Sequence, residues 1–381
     1  MAADNKAPIL FWVQHLLGIG HVVRVAALAR VTAAAGYPTH VATGGFPVQH
    51  LHWGRAIVHQ LPVIQATGPR FGGLSDAERK PIADDVWLAR ETVLSNVLEQ
   101  VRPQLLVLEH YPFGRRRFRH EISALISAAR SRANIKIAIS VRDILVDRRP
   151  ERWKETADFL HRLADAVFVH GDRTLATLDE TYPFADQCRH KTRYTGFIDS
   201  GGSSVRIDAK EDPEILISTG GGNVGALLRR AAATMKSGPN GENVRIRIGR
   251  NVPEVAFGAL KSQVDSVIFE RNSADYRARM AQSICSVSQA GYNTVVDLLI
   301  TGVPAVLVPF EERGETEQLR RAEKLSSLRR AVLLRQTDVT PDRLREAIGR
   351  AIALPPALLA VNLNGAAAFV AFLPSLLQAA Q

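Results

Sequence analysis

Short runs of β-branched and aliphatic residues alternate with stretches of helical period almost from one end of the chain to the other. In the first half this pattern predicts strands over residues 9–14, 39–43, 56–61, 104–108, 135–141 and 166–170, with helices over 21–35 and 75–101. The runs 104–108 and 135–141 are almost continuously apolar, as in strands buried on both faces of a parallel sheet. Past Gly196 the texture changes to Asp199-Ser200-Gly201-Gly202-Ser203-Ser204 and a charged run over 208–212, which reads as a linker. The alternation then restarts, with strands over 215–219, 244–248, 267–269, 284–287, 305–308 and 331–334. A last helical segment, 366–377, follows Pro355-Pro356. The predicted fold class is α/β, with two Rossmann-like doubly wound domains facing a central cleft. The predicted boundaries are 1–198, a linker over 199–212, a second domain over 213–355, and a C-terminal helix in 356–381 returning to the first domain.

Each half begins with a strand that runs into a glycine-rich turn and then a helix. In doubly wound folds such turns lie outside the carboxyl ends of the strands, where ligands bind. In the first half the turn is His15-Leu16-Leu17-Gly18-Ile19-Gly20-His21, which makes Gly18, Gly20 and Glu109 acceptor-side candidates. A helix N-terminus disfavours imidazolium, so His21 is expected to be neutral near pH 7 and suited to work as a general base; its plainer role is to cap its helix. Asp143, after the run 135–141, is the second catalytic candidate, with a salt-bridged structural role as the alternative.

In the second half three turns are candidates for one binding site: Gly220-Gly221-Gly222-Asn223, Gln289-Ala290-Gly291-Tyr292-Asn293-Thr294, and Glu317-Gln318 opening a helix. Glycines let backbone N–H groups approach phosphate oxygens, while Asn223, Asn293 and Thr294 carry side-chain donors. Asp297 falls one to two turns into its helix, within reach of a ribose. Leu319, Ala322, Leu325 and Leu328 recur at helical spacing and read as core. A dinucleotide site is disfavoured: Gly18-Ile19-Gly20-His21-Val22-Val23 lacks the third glycine, and the strands that follow both glycine turns end without an acid.

Composition adds constraints on partners. At 381 residues the chain exceeds what one core holds, and 46% hydrophobic with 23% charged residues is ordinary for a globular protein. Cys188 and Cys285 offer neither a disulfide framework nor metal-ligand spacing, and Met1 to Lys6 have no apolar signal core, so a cytoplasmic location is expected. The net charge of +10 is densest at Arg115, Arg116, Arg117 and Arg119. That run reads either as a solvated helix face or as a contact to an anionic membrane surface on the inner side of the membrane. With 6% aromatics and no nucleic-acid-binding motif, nucleic acid is not an expected partner.

Taken in order, several of these residues form a known series. They are Gly220-Gly221-Gly222, Ser288-Gln289-Ala290-Gly291 with Thr294 and Asp297, Gly302-Val303-Pro304 with Val308-Pro309, and Gln318 with Ala322. The series resembles the nucleotide-sugar-binding half of GT-B glycosyltransferases of the family 28 type, the group of the N-acetylglucosaminyltransferase of the lipid-linked peptidoglycan precursor. The runs 13–24, 109–116, 141–143 and 288–297 are similar to a bacterial group of predicted glycosyltransferases. Gly18-Ile19-Gly20-His21-Val22-Val23-Arg24 is also similar to nucleotide-sugar hydrolases of pseudaminic acid synthesis, in which the matching histidine activates water.

The resemblance implies an inverting, metal-independent transfer of a sugar from a nucleotide-sugar, with UDP the expected nucleotide, to a hydroxyl acceptor on a lipid-linked or polysaccharide precursor. It implies no cofactor. The hydrolase is the alternative, and a non-catalytic binder of anionic surfaces a distant third. The peptidoglycan enzyme has arginine where this chain has Gln289, glutamate at Asp297, and a glutamine pair at Glu317-Gln318, so the donor sugar is left open.

Overall fold

A computed structural model describes residues 6–16, 18–49, 51–67, 73–132, 134–201, 214–219, 225–249, 252, 254–261, 267–273, 275–311, 314–355 and 359–378. The chain divides into two units, one of residues 1–200 with 362–381 and one of residues 201–361. Of the linker predicted over 199–212, residues 202–212 lie outside the described residues.

The first unit runs β1 (Ile9–Val13), α1 (Gly20–Ala34), β2 (Thr39–Thr43), β3 (Ile57–Gln60), β4 (Gln65–Ala66), β5 (Leu74–Ser75), α2 (Asp84–Val101), β6 (Leu105–Glu109), α3 (Arg119–Arg132), β7 (Lys136–Arg142), α4 (Pro150–Leu163), β8 (Ala166–His170) and β9 (Thr192–Tyr194). Seven of these strands form one sheet in the order β3-β2-β1-β6-β7-β8-β9, parallel throughout, while β4 and β5 pair as a separate antiparallel ribbon. Every residue of β1, β6 and β8 is buried, as the continuous apolar runs require of central strands covered on both faces.

The second unit runs β10 (Glu214–Ser218), α5 (Ala226–Met235), β11 (Asn243–Ile248), α6 (Glu254–Lys261), β12 (Val267–Arg271), α7 (Tyr276–Gln282), β13 (Cys285–Ser288), α8 (Tyr292–Thr301), β14 (Ala305–Leu307), α9 (Glu317–Ser327), β15 (Val332–Leu333) and α10 (Pro341–Ile352). Its six-stranded sheet, in the order β12-β11-β10-β13-β14-β15, is again all parallel. In each sheet the first strand lies inside, with β2 or β11 on one flank and β6 or β13 on the other. That reversal is the switch point at which doubly wound sheets bind ligands.

One predicted helix is shorter than its pattern. Residues 76–83 are not helical: Asp76 Oδ1 accepts the N–H groups of Glu78 and Lys80, Arg79 takes a left-handed φ of 65°, and Pro81 bridges back to Ser75. This side-chain turn outcompetes the helix until Asp84 and Asp85 open α2 with two acids in its first turn.

The last helix, α11 (Gly365–Gln378), packs on α1 and β8 of the first unit. Phe369, with 0% exposure, sits 6.0 Å from the Phe11 ring and 4.8 Å from Phe168. Gly365 has no room for a side chain, since a Cβ there would lie 2.5 Å from the Gly196 carbonyl oxygen. Phe369→Ala should therefore cost the first unit about 3–5 kcal/mol, read as a lower urea midpoint with the second unit's transition unchanged.

Candidate active site

The first candidate site lies at the carboxyl edge of the first sheet. β1 ends at Val13, and the chain returns as α1 with His21 as its second residue. The N-cap, Ile19, has no capping side chain, and the first turn holds no acid, so the helix N-terminus is left open. Gly18 is exposed, with nothing within 4 Å of where a Cβ would stand, so the turn leaves room for a ligand there. Gly20 is the first residue of α1.

His21 Nδ1 lies 2.8 Å from Glu109 Oε1, at the end of the adjacent β6. The same oxygen accepts from Arg24 Nη2, one turn further along α1. Glu109 Oε2 accepts from Ser140 Oγ at 2.5 Å. With a donor already on each oxygen, Glu109 meets His21 as an acceptor, so His21 Nδ1 carries the proton and Nε2 does not. Burial, followed by the guanidinium groups of Arg115, Arg24 and Arg142, holds His21 well below the ordinary histidine value of 6.5. The ring is therefore neutral near pH 7, with burial as the first cause and the neighbouring arginines as the second. The His110 ring lies tilted against it, 4.8 Å between centroids, and is likewise held low by burial. Gly114 is fixed by this ring, for a Cβ there would fall 2.5 Å from His110 Cδ2.

Asp143 follows β7 and is buried beside Gly171. The acid at His21 Nδ1 is Glu109, which thus has a tighter place than its acceptor-side prediction gave it. The basic run is divided by the fold. Arg115 turns in to donate to the Gln14 carbonyl at 2.6 Å, and burial beside Arg142 lowers its pKa to about 10. Phe118 is buried against Trp12 and Trp87, and Arg116 pairs with Glu155, which leaves Arg117 and Arg119 exposed. A membrane contact through all four arginines is not what the geometry offers.

In the second unit Gln289, Ala290 and Gly291 join β13 to α8. Gly291 caps α8 without a side chain, the first turn carries no acid, and a Cβ on Gly291 would meet nothing within 4 Å. The first turn of α8 thus begins beside open space at Gly291 with the helix dipole behind it, a setting that favours an anion. Gln289 also borders a hollow lined by Gly225, Leu228, Val308, Pro309 and Gln336. Gly220, Gly221, Gly222 and Asn223 lie outside the described residues. A second hollow, around Arg173, Asp186 and Tyr194 in the first unit, shares no residue with the His21 cluster.

Both acids singled out in the second half have arginine partners. Asp297 Oδ1 accepts from Arg277 Nε at 2.7 Å and lies 2.6 Å from its Nη2. Glu317 is 3% exposed and pairs with the fully buried Arg321 at 2.9 Å, so it is spent inside the protein and not offered to a sugar. Arg321 also donates to the Ala290 carbonyl at 2.8 Å, tying the first turn of α9 to the turn before α8. Gln318 Oε1 accepts from the Phe310 N–H at 3.1 Å.

Sequence reasoning missed Arg24, Ser140, His170 and Arg321. The available signals were a serine within the apolar run 135–141, a histidine closing 166–170, and Glu317 four residues before Arg321 on one helix. Leu328, read as core, is 41% exposed, and Arg321 takes the buried place instead.

Two stability outcomes follow. Arg321→Met leaves Glu317 buried without its partner and should cost about 3–5 kcal/mol in chemical denaturation, against a smaller loss for Glu317→Gln. His21 and His110 are depressed by burial, and His170 is lowered to about 3. Below about pH 6.5 the unfolded chain binds protons that the folded one refuses. The stabilisation is thus complete above pH 6.5 and is lost as pH falls toward 3. The urea midpoint should drop between pH 7.5 and 5, with no such loss on the alkaline side.

Residues 216–371 match the glycosyltransferase family 28 C-terminal domain. Among curated proteins, the UDP-N-acetylglucosamine--N-acetylmuramyl-(pentapeptide) pyrophosphoryl-undecaprenol N-acetylglucosamine transferase of Xanthomonas axonopodis pv. citri (strain 306) is 31% identical over 152 residues, 39% of this chain and 36% of that protein. The Thermotoga maritima protein of the same name is 31% identical over 71 residues, 19% of this chain and 21% of that protein. The chain thus matches about a third of the first relative's length, 36%, and less of the second's. Among solved structures, the spinosyn forosaminyltransferase SpnP has a TM-score of 0.64 at 14% identity, covering 98% of this chain and 99% of its own. MurG of Acinetobacter baumannii has a TM-score of 0.54 at 17% identity, covering 97% and 99%. At these identities the likeness shows the fold, which is the two-domain GT-B architecture.

Proposed function

We propose that this chain of GT-B fold, with its family 28 C-terminal domain, is an inverting glycosyltransferase that moves a sugar from a nucleotide-sugar to a hydroxyl acceptor. The observation that carries the reading is the open N-terminus of α8, uncapped at Gly291 and free of acids in its first turn. There the N–H groups of Tyr292, Asn293 and Thr294 hold the diphosphate, and the positive helix end stabilises the charge that grows on it as it leaves, with no metal required. The hollow beside Gln289 and Gln336 offers apolar walls and two amides, the mixture a nucleobase such as uracil uses. Asp297, oriented by Arg277, serves the ribose.

His21 acts on the acceptor. Its Nε2 takes the hydroxyl proton, the oxygen attacks the anomeric carbon, and the bond to the diphosphate breaks with the electron pair going to the leaving group. Glu109 steadies the imidazolium formed at that moment. The acceptor is a polyprenyl-linked or polysaccharide precursor, as the names of the curated relatives suggest, met on the cytoplasmic side of the membrane. No helix among the described residues is long and apolar enough to cross a membrane.

The test is a thermal-shift panel of nucleotides and nucleotide-sugars, followed by product analysis with the best donor. UDP or its sugars should stabilise the protein, and a preference for NADP would overturn the reading. UDP and free sugar released at full rate without an acceptor would make the protein a hydrolase. His21→Ala should slow the reaction by roughly 10²–10⁴-fold, and a rate within about twofold of wild type would remove His21 from the base role.

A further inference from the structure

Glu109 is the start of a buried line of polar side chains that crosses the carboxyl edge of the first sheet, strand by strand. Its Oε2 accepts from Ser140 Oγ on β7 at 2.5 Å; Ser140 Oγ lies 2.9 Å from His170 Nε2 on β8; and His170 Nδ1 lies 2.9 Å from Thr195 Oγ1, just past β9. Ser140, His170 and Thr195 all have 0% exposure and Glu109 has 1%. Four polar side chains in neighbouring strands, otherwise lined with aliphatic residues, are an expensive feature for a core to retain unless each is satisfied.

The proton count along the line is set from its carboxylate end. Ser140 has a single hydroxyl proton, and the ionised Glu109 takes it. Ser140 Oγ is therefore an acceptor toward His170, which must hold its proton on Nε2. His170 Nδ1 is then bare and faces Thr195 Oγ1 at 2.9 Å, a hydroxyl that also has the Gly196 carbonyl at 2.9 Å to donate to. A ring held in this way stays neutral, and its pKa is lowered to about 3, chiefly by burial. The direction of the hydrogen bonds from His170 through Ser140 to Glu109 is set by the carboxylate at the end of the line.

We propose that Ser140 and His170 are positioning residues that act on His21 through Glu109. They hold the Glu109 carboxylate in one rotation, so that Oε1 meets His21 Nδ1 and the His21 Nε2 lone pair stays available. The inference rests on the reading of His21 as the base, but its own content is the tautomer of two histidines.

The experiment is ¹⁵N–¹H long-range NMR of the full-length protein labelled at histidine, near pH 7. The wild type should show His170 protonated on Nε2 and His21 protonated on Nδ1. His170 protonated on Nδ1 in the wild type would overturn the line without any variant being made. In Ser140→Ala the carboxylate loses its second hold, and in His170→Phe Ser140 loses the donor that turns its hydroxyl toward Glu109; in both, His21 should become a mixture of tautomers. His170→Gln keeps an amide donor for Ser140 and should preserve the single His21 tautomer, a rescue that simple filling of space by phenylalanine would not give. An unchanged His21 tautomer in both Ser140→Ala and His170→Phe would sink the proposal. The two readings fail separately: His21→Ala with undiminished turnover removes the base but leaves these tautomers standing, whereas wrong tautomers leave the kinetics of His21→Ala untouched.

Discussion

A carboxylate with 1% exposure must be answered on both of its oxygens, and the first unit is built around that requirement at Glu109. One oxygen takes Arg24 and His21 and the other takes Ser140, so residues from α1, β6 and β7 are locked by a single group. The same solution recurs on the opposite face of the sheet. There Glu121 receives Arg90 at 2.5 and 2.9 Å and Trp12 at 2.8 Å, and Arg90 also reaches Gln14 at 3.0 Å. The turn that carries His15 is thus anchored from below by one ion pair, while its helix is anchored from the side by another. Removing either carboxylate takes a counter-charge away from a buried guanidinium, which is why such pairs fix geometry even where they add little net stability.

The second unit divides its charges the other way. Its buried ions hold the scaffold: Arg321 joins Glu317 to the Ala290 carbonyl, and Arg330 donates to Val303 and Leu298 at the other end of α8. The N-terminus of α8, by contrast, has no capping side chain and no acid in its first turn. Rigid supports around an open helix end give an anion a preformed site and spare it the reorganisation that weakens binding.

The parallel α/β architecture and nearly all of the strands were legible, because continuous apolar runs such as 104–108 and 135–141 have few other uses. The helix predicted from residue 75 was too long, because periodicity does not register an aspartate that turns back on its own backbone at Asp76. His21, Glu109, Gly291 and Asp297 were legible from their places at strand ends and in the turns and helix that follow. The partners were not. Whether Glu317 faces a ligand or Arg321, and whether Arg115 faces a membrane or Gln14, depends on rotations of long side chains that spacing along the chain leaves undetermined. Ser140 and His170 were hidden for another reason: inside an apolar run a single polar residue reads as a tolerated exception until its neighbour across the sheet is known.

The place of α11 bears on how the protein is made. Phe369 and Leu373 close the face of the first sheet formed by Phe11 and Phe168, yet they are translated after every residue of the second unit. While residues 201–361 leave the ribosome, the first unit waits with that apolar face uncovered. The second unit has all its strands in hand and can complete its own core first. Synthesis order and assembly order are therefore reversed: the domain that begins first finishes last, and its unsealed face is the surface a chaperone would have to guard in the interval.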